Sequence, residues 1–116
     1  MKSLLKISRR SFFSSRAQLQ RSSPEVIVIS GASSGIGEEI ALKYAGKQTK
    51  LILGARRIEK LNEVAQRCLS NGAVSADVIQ CDVSQEIDCK TLIKKTIELH
   101  GKIDILVLNA GVGQVT

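Results

Sequence analysis

The sequence is poor in aromatic residues, cysteine, histidine and long apolar runs, and each shortage excludes a class of protein. Aromatic residues make up 3% of the 116 residues, so a folded core must be aliphatic. No apolar run approaches the roughly 18–20 residues that a membrane-spanning helix requires. The 3 cysteines are odd in number and lack C-x-x-C spacing, which argues against a disulfide framework or a metal site. The sole histidine, His100, is expected to end a helix, where a cation suits the helix dipole.

Basic charge is concentrated at the beginning of the chain. The formal net charge is +6, and residues 1–23 contain 6 basic residues and no acidic one. The other 11 basic residues balance the 11 acidic residues that follow, so the remainder of the chain is neutral. A neutral domain with few aromatic side chains is a poor nucleic-acid surface, and we expect no nucleic-acid partner.

Residues 1–23 have the composition of a mitochondrial transit peptide, because they are rich in Arg and Ser and place apolar residues between the basic ones. A basic amphipathic segment of this kind is drawn to anionic membrane surfaces and to an inside-negative potential. The alternative is a disordered basic leader without a destination. We therefore expect a mitochondrial protein, or a cytoplasmic one if the segment is not an address.

From Pro24 onward, predicted strands and helices alternate, and residues 24–116 form one predicted domain. Apolar β-branched runs indicate strands over residues 25–30, 50–54, 75–81 and 103–108. Helical spacing of apolar residues indicates helices over residues 35–47, 57–70 and 84–100, the last with Ser84 as its N-cap. Strict alternation of this kind predicts an α/β fold of the Rossmann type, a doubly wound parallel sheet with right-handed crossovers.

The first predicted strand runs into a G-x-x-x-G-x-G turn at Gly31, Gly35 and Gly37. Such glycines allow a sharp turn, a close approach of the backbone to a pyrophosphate, and tight packing of the helix on the sheet. Amide groups at the start of the helix attract an anion, and Ser33 and Ser34 add hydroxyl donors. No Gly-Lys-Ser/Thr follows, so the turn is not a P-loop. The alternative is a tight structural turn without a ligand.

The second predicted strand ends at the basic pair Arg56-Arg57. In NAD-binding domains an acidic residue at this strand end bonds the ribose 2′-hydroxyl, and none is present here. A guanidinium can bind a 2′-phosphate through two parallel hydrogen bonds. The pair therefore favours NADP(H) over NAD(H), the alternative being two solvated arginines at the start of a helix.

Three motifs together resemble the first half of the short-chain dehydrogenase/reductase family, over residues 25–115. Residues 30–37 fit the family's glycine turn, residues 81–83 (Cys-Asp-Val) fit its Asp-Val element, and residues 108–111 (Leu-Asn-Ala-Gly) fit its Asn-Asn-Ala-Gly. Leu108 replaces the first Asn of that last motif. The pattern at Arg56 is similar to that of the NADP-preferring members.

The resemblance implies how the glycine turn would bind the cofactor. Ser34, Gly35, Ile36 and Gly37 would line the path of the pyrophosphate. Ser33 and the arginine pair would hold the 2′-phosphate.

The resemblance also implies roles for two later strand ends. Asp82 would accept a hydrogen bond from the adenine amino group, with the Val83 backbone beside it. Asn109, Ala110 and Gly111 would lie under the ribose on the adenosine side and brace the sheet.

The residues that carry catalysis in this family, an Asn, a Ser and a Tyr-x-x-x-Lys, have no counterpart in the sequence. The only tyrosine, Tyr44, is expected to be a packing residue, so we assign no catalytic residue and expect the chain to be inactive by itself. A carbonyl or alcohol substrate, interconverted by hydride transfer, would follow only if the chain continues. The alternatives are a non-catalytic NADP(H)-binding or interaction module, or a nonfunctional truncated product. An extended-type nucleotide-sugar epimerase fits less well, because its glycine spacing differs.

The expected strand order of such a sheet is 3-2-1-4-5-6. If it stops after the fourth strand, in the order 3-2-1-4, residues 103–108 form an open apolar edge, which favours aggregation. We therefore expect residues 24–116 alone to be marginally stable or partly molten. A full-length form could be a homo-oligomer.

Overall fold

The structure, a computed structural model, describes residues 5–9, 24–33, 35–46, 48–82 and 84–109, and of residues 5–9 the backbone alone. It contains five strands and three helices within these residues. In chain order they are β1 (Leu5–Arg9), β2 (Glu25–Ser30), α1 (Gly35–Tyr44), β3 (Thr49–Ala55), α2 (Ile58–Ser70), β4 (Ser75–Gln80), α3 (Glu86–His100) and β5 (Ile105–Asn109).

The five strands form one sheet in the order β1-β5-β2-β3-β4. The four strands that follow Pro24 are all parallel, and their order corresponds to the predicted 3-2-1-4. The Rossmann-type prediction is therefore confirmed. Parallel strands that are consecutive along the chain need a crossover, and α1, α2 and α3 supply the three crossovers.

Helices cover both faces of the sheet, which explains why its inner strands are apolar without alternation. In a strand, successive side chains point to opposite faces. Ile27 and Ile29 of β2 pack in the larger apolar cluster, toward α1 and α2, whereas Val26 and Val28 pack in the smaller cluster with Leu92 of α3. All five side chains are fully buried. A parallel strand buried on both faces requires such an unbroken β-branched run.

The predicted helix ends differ from the observed ends by more than one residue at two places. Helix α1 ends at Tyr44 and not at residue 47, because the chain turns into β3 at once: Gly46 has a φ of +152°, and Thr49 Oγ1 donates to the Tyr44 carbonyl oxygen at 2.8 Å. The prediction of Ser84 as N-cap of the third helix is wrong. Helix α3 begins at Glu86, and Gln85 occupies the N-cap position without a side-chain hydrogen bond.

The predicted open edge on the last strand is also wrong. Backbone pairing joins β1 to β5 in antiparallel register, from Leu5 opposite Asn109 to Arg9 opposite Ile105. Within the predicted leader, residues 5–9 thus form a strand of the sheet, and residues 1–4 and 10–23 lie outside the described residues. The sequence pattern missed this strand because its residues were assigned to the leader by composition alone.

The side chains of His100, Tyr44, Cys68 and Cys81 are accounted for by contacts within the fold. His100, the last residue of α3, pairs through Nε2 with Asp77 Oδ2 of β4 at 2.8 Å. Tyr44 is half-buried against the larger apolar cluster. Cys68 and Cys81 are free and buried, and burial raises the pKa of each thiol to about 11. None of the described helices combines the length and apolar character needed to cross a membrane.

Candidate nucleotide-binding site

The ends of four parallel strands meet at one edge of the sheet and carry most of the predicted site residues. Gly31 follows β2, Arg56 follows β3, Asp82 lies two residues beyond the end of β4, and Asn109 ends β5. The pairing register aligns these strand ends. Ser30, the last residue of β2, lies opposite Gly54 of β3 and Leu108 of β5, each one residue before the end of its strand. In open α/β sheets, ligands bind in the crevice beyond the carboxyl ends of the strands. This edge is therefore the candidate site.

The turn after β2 needs glycine at three positions, for different reasons. Gly31 has a φ of +69°, and a Cβ there would lie 2.5 Å from the Asn109 carbonyl oxygen. A Cβ on Gly37 would lie 1.9 Å from the Gly31 carbonyl oxygen, so no side chain fits where α1 crosses the turn. Gly35 has a φ of +60°, but no heavy atom lies within 4 Å of its Cβ position. The turn therefore lies against backbone atoms at Gly31 and Gly37, its closed side, and has free space at Gly35, its open side. A phosphate that approaches the backbone needs such free space.

Two polar side chains tie the turn to β5. The Asn109 backbone amide donates to Ser30 Oγ at 3.1 Å, and Asn109 Nδ2 donates to the Gly31 carbonyl oxygen at 3.4 Å. Asn109 is 7% exposed, and its Oδ1 is buried without a hydrogen-bond partner among the described residues. A buried acceptor without a donor is unfavourable, so the site offers this oxygen to a donor group. Sequence reasoning included Ser30 only as the first residue of the glycine turn and did not predict the hydrogen bond between its hydroxyl and β5.

The basic pair after β3 projects into solvent. Arg56 and Arg57 are both exposed, and neither guanidinium forms an ion pair within the described part of the chain. The Arg56 carbonyl oxygen accepts a hydrogen bond from Gln80 Nε2 at 3.0 Å, which fixes the backbone of the pair against β4. Arg57 is the N-cap residue of α2 and makes no side-chain hydrogen bond to the first amides of that helix. The guanidinium groups of Arg56 and Arg57 and the uncapped first amides of α2 therefore lie at the same end of that helix.

Asp82 is held at the start of the β4–α3 connection by its neighbours. Its backbone amide donates to Asp88 Oδ2 at 2.8 Å, while its own Oδ1 accepts from Ser84 Oγ at 2.7 Å and from Ser84 N at 3.0 Å. These two hydrogen bonds from Ser84, with a smaller contribution from the Arg56 charge, lower the pKa of the Asp82 carboxyl. The carboxylate thus stays ionised, and Oδ2 accepts no hydrogen bond from a described residue.

Replacing Ser84 with alanine should raise the pKa of Asp82 toward its ordinary value, because the hydroxyl donor to the carboxylate is lost. The contact stabilises the fold above the ordinary Asp pKa, and this stabilisation is lost as the pH falls through the lowered pKa of the folded state. An NMR titration of the Asp82 carboxyl carbon measures the change. Ser84→Thr keeps the hydroxyl and should keep the low pKa, and an unchanged pKa in Ser84→Ala would contradict the assignment.

Of the other predicted site residues, some lie within the part of the chain that the structure describes and some lie outside it. Ser33 is half-buried in the turn, and Ile36, in the first turn of α1, is 46% exposed. The predicted residues Ser34, Val83, Ala110 and Gly111 lie outside the described residues. No group of three His, Cys, Asp or Glu side chains among the described residues is arranged to hold a metal ion.

Similar proteins are found by sequence. A sequence model of the short chain dehydrogenase family matches residues 25–116. An 11-beta-hydroxysteroid dehydrogenase of Pinus massoniana is 46% identical over 89 residues, which are 77% of this chain and 25% of that protein. The 11-beta-hydroxysteroid dehydrogenase-like 2 of Arabidopsis thaliana is 48% identical over 90 residues, which are 78% of this chain and 29% of that protein. The chain thus spans between a quarter and a third of the length of these relatives.

Solved structures resemble the fold as well. A metagenomic short-chain oxidoreductase in complex with NADP matches with a TM-score of 0.66 and 33% identity, over 72% of this chain and 38% of that one. An alcohol dehydrogenase from the archaeon Thermococcus sibiricus, complexed with 5-hydroxy-NADP, matches with a TM-score of 0.64 and 34% identity, over 70% of this chain and 34% of that one. Since the family model covers most of the chain, including the glycine turn and all four parallel strands, the chain belongs to the short-chain dehydrogenase/reductase family.

Proposed function

We propose that this chain supplies the NADP(H)-binding part of an oxidoreductase that interconverts a carbonyl and a secondary alcohol. The observation that carries the cofactor preference is the exposed pair Arg56-Arg57 at the end of β3, without an acidic residue at that strand end. The reaction class is supported by the relatives, which are named as hydroxysteroid and alcohol dehydrogenases. Two structures similar to this chain are described as complexes with NADP or 5-hydroxy-NADP.

The glycine turn fits a pyrophosphate. Its open side lies at Gly35, where the absence of a Cβ leaves the backbone accessible, and α1 begins at the same residue. Amides at a helix N-terminus point toward an approaching anion, and the helix dipole adds to their attraction. Residues on the closed side, Gly31 and Gly37, keep the helix close to the sheet, so the anion would meet a rigid turn.

The position of Arg56 and Arg57 is better explained by binding of a 2′-phosphate than by two arginines that only contact solvent. A cation at a helix N-terminus is unfavourable, because the dipole there is positive. A phosphate between the guanidiniums and the uncapped amides of α2 would remove this conflict and accept hydrogen bonds from both sources. Ser33 lies in the turn after β2, the strand next to β3, and could donate its hydroxyl to the same group.

Asp82 and Asn109 fit the adenosine half of the cofactor. Asp82 keeps an ionised carboxylate whose Oδ1 is fixed by Ser84, leaving Oδ2 as the acceptor for an amino group. Asn109 Oδ1 is a buried acceptor between β2 and β5, suited to a hydroxyl donor such as that of a ribose. When bound, the nicotinamide cofactor would supply or take up the hydride. The described residues would bind and orient it, and none of them is assigned to proton transfer.

Arg56→Ala and Arg57→Ala should each weaken NADPH binding to the chain by roughly 10- to 100-fold, because each removes charge-assisted hydrogen bonds worth about 1.5–3 kcal/mol. Binding of NADH, which lacks the 2′-phosphate, should change little. Isothermal titration calorimetry with the two cofactors measures both affinities. An equal loss for NADPH and NADH would refute the assignment of the pair to the 2′-phosphate.

A matched control is Lys95→Ala, which removes a positive charge from an exposed position in the second half of α3. That part of the helix is remote from the strand ends that form the candidate site. An NADPH affinity close to that of the parent is expected for this variant. A loss as large as that of Arg56→Ala would mean that net charge, and not position, determines binding.

The alternative function is an interaction module that pairs through an open edge of the last strand. It requires that edge to be unpaired. That edge of β5 is occupied by β1. An NADP(H)-binding role without catalysis remains the narrower alternative, and it predicts the same affinities but no carbonyl-dependent oxidation of NADPH by the protein isolated from its source.

We also propose that residues 1–23 direct the protein to mitochondria, a proposal that rests on composition and not on the fold. A fluorescent reporter fused to residues 1–30 should accumulate in mitochondria of living cells. Replacement of the 6 basic residues of the leader by glutamine should leave the same reporter in the cytosol, because attraction to the inside-negative membrane is lost. A cytosolic signal from the unmodified fusion would refute the proposal.

A further inference from the structure

The connection between β3 and α2 consists of the arginine pair alone. β3 ends at Ala55 and α2 begins at Ile58, so Arg56 and Arg57 turn the chain from strand to helix. Among the residues that the structure describes, neither guanidinium is held by an ion pair. The direction in which both side chains leave the protein therefore depends on how the backbone of this turn is fixed.

Three hydrogen bonds fix that backbone, one residue after another. Beside the last paired residues of β3 and β4, the Cys81 amide donates to the Ala55 carbonyl oxygen at 2.9 Å. At the other end of the turn, the Arg57 carbonyl oxygen accepts an amide of the first turn of α2 at 2.9 Å. Between these two, the Arg56 carbonyl oxygen accepts from a side chain, Gln80 Nε2, at 3.0 Å. The middle contact is thus the one that depends on a side chain.

Gln80 is the last residue of β4, and its place in the register explains the reach of its amide. It lies opposite Ala55, the residue before Arg56. A carboxamide on two methylene groups can therefore extend the contact between the two strands by one residue past their paired ladder. A backbone carbonyl oxygen only accepts hydrogen bonds, so the NH₂ end of the amide is the end that faces Arg56.

The N-terminus of α2 lacks the usual means of holding such a turn. Arg57 occupies the N-cap position with an extended backbone, φ −92° and ψ 93°, and makes no side-chain hydrogen bond to the first amides. A Ser, Thr, Asp or Asn at this position would hold the turn through its own oxygen, and that oxygen would occupy an amide. Because Gln80 holds the turn from the neighbouring strand, the first amides of α2 stay available to an anion.

We propose that Gln80 is a positioning residue for the 2′-phosphate, acting through the backbone of Arg56 and Arg57. This inference rests on the proposed NADP(H)-binding function and adds to it a residue on another strand. The Gln80 amide keeps the turn in the conformation that directs both guanidiniums to one phosphate before the cofactor arrives. A site that is formed for only part of the time binds with an affinity reduced by that fraction. NADPH binding therefore depends on Gln80, and binding of NADH, which lacks the phosphate, does not.

The test uses Gln80→Met in the protein at its full natural length. Methionine keeps the length and the apolar stem of glutamine but has no N–H, so the hydrogen bond to Arg56 is lost at an exposed strand end. NADPH and NADH are titrated into parent and variant, by calorimetry for tight binding and by nicotinamide fluorescence for weak binding. The NADPH Kd should rise about 3- to 10-fold, the range of one ordinary hydrogen bond, and the NADH Kd by less than about 2-fold.

Two controls separate positioning from a general structural role. Gln66→Met makes the same chemical change at an exposed position in the second half of α2 and should leave both affinities at the parent values. Gln80→Met is also introduced into a background that carries Arg56→Ala and Arg57→Ala. A residue that acts only through the pair has nothing to position there, so it should change the NADPH Kd of that background by less than about 2-fold.

The results that would overturn the inference differ from those that would overturn the proposed function. An unchanged NADPH affinity in Gln80→Met, beside a selective NADPH loss in the variant without the arginine pair, would remove Gln80 alone. An equal loss of NADPH and NADH, or a loss that persists without the pair, would mean that Gln80 supports the site as a whole. If removal of the pair left NADPH binding unchanged, the proposed cofactor preference would fail, and the role of Gln80 with it.

Discussion

Gly37→Ala is expected to destabilise the chain by about 3 kcal/mol or more, or to abolish its cooperative unfolding. The added Cβ would lie 1.9 Å from the carbonyl oxygen of Gly31 and 2.7 Å from its carbonyl carbon. Both atoms belong to the backbone of the turn, so no side-chain rotation can make room, and α1 must move away from β2. Urea unfolding followed by circular dichroism, on parent and variant at one pH, measures the change in free energy.

Gly35→Ala is the matched control, since it adds the same methyl group two residues away. No heavy atom lies within 4 Å of that Cβ position, and the only expected cost is the left-handed φ of +60°, about 1–2 kcal/mol. This variant should still unfold cooperatively but should bind NADPH more weakly, because the methyl group occupies the open side of the turn. Equal destabilisation by the two substitutions would contradict the close approach at Gly37.

Asp104→Ala is expected to lower the free energy of unfolding by about 2–3 kcal/mol. The Asp104 side chain precedes β5 and is buried, and its Oδ2 accepts the Val26 amide at 2.8 Å and the Lys102 Nζ at 3.0 Å. The Asp104 amide returns a hydrogen bond to the Val26 carbonyl oxygen at 2.8 Å. Removing the carboxylate leaves a buried amide at the start of β2 without its acceptor, while the backbone hydrogen bond from the Asp104 amide to the Val26 carbonyl oxygen remains.

Asp104→Asn retains an oxygen acceptor but loses the charge, so it should lie between the parent and Asp104→Ala in the same urea measurement. Glu98→Ala removes an acidic residue from the exposed face of α3 and should change the stability by less than about 0.5 kcal/mol. If Asp104→Ala were as stable as Glu98→Ala, the hydrogen bond to Val26 would contribute nothing to the fold.

Local sequence determined the architecture to a large extent. The run at residues 25–30 is apolar on both faces, and such a run is stable only between two layers of helices. Alternation with three helical segments then leaves parallel strands with right-handed crossovers as the regular solution, and the observed sheet confirms the parallel pairing and the strand order. Helix and strand ends were less well predicted: α1 stops at Tyr44, because the tight entry into β3 depends on contacts of Thr49 that no periodic pattern reveals.

The candidate site was predictable where residue type alone determines the geometry. Glycine at positions 31 and 37 is required by backbone contacts, and a basic pair at the end of β3 follows from counting residues along a strand. The surroundings of these residues were not predictable. The hydroxyl of Ser84 was expected to cap a helix but donates to Asp82, because Gln85 takes the N-cap position and the carboxylate two residues away lies within reach of the hydroxyl.

The sequence by itself determined the parallel sheet, the glycine turn and the absence of an acidic residue beside the basic pair, because each depends on residues close together along the chain. The tertiary structure alone decided which elements meet across long separations. It pairs Leu5 with Asn109, joins Ser30 to β5 and places Asp104 against Val26. Residues some 80–100 positions apart carry no shared periodicity, so only the folded sheet, in which strand edges must find partners, brings them together.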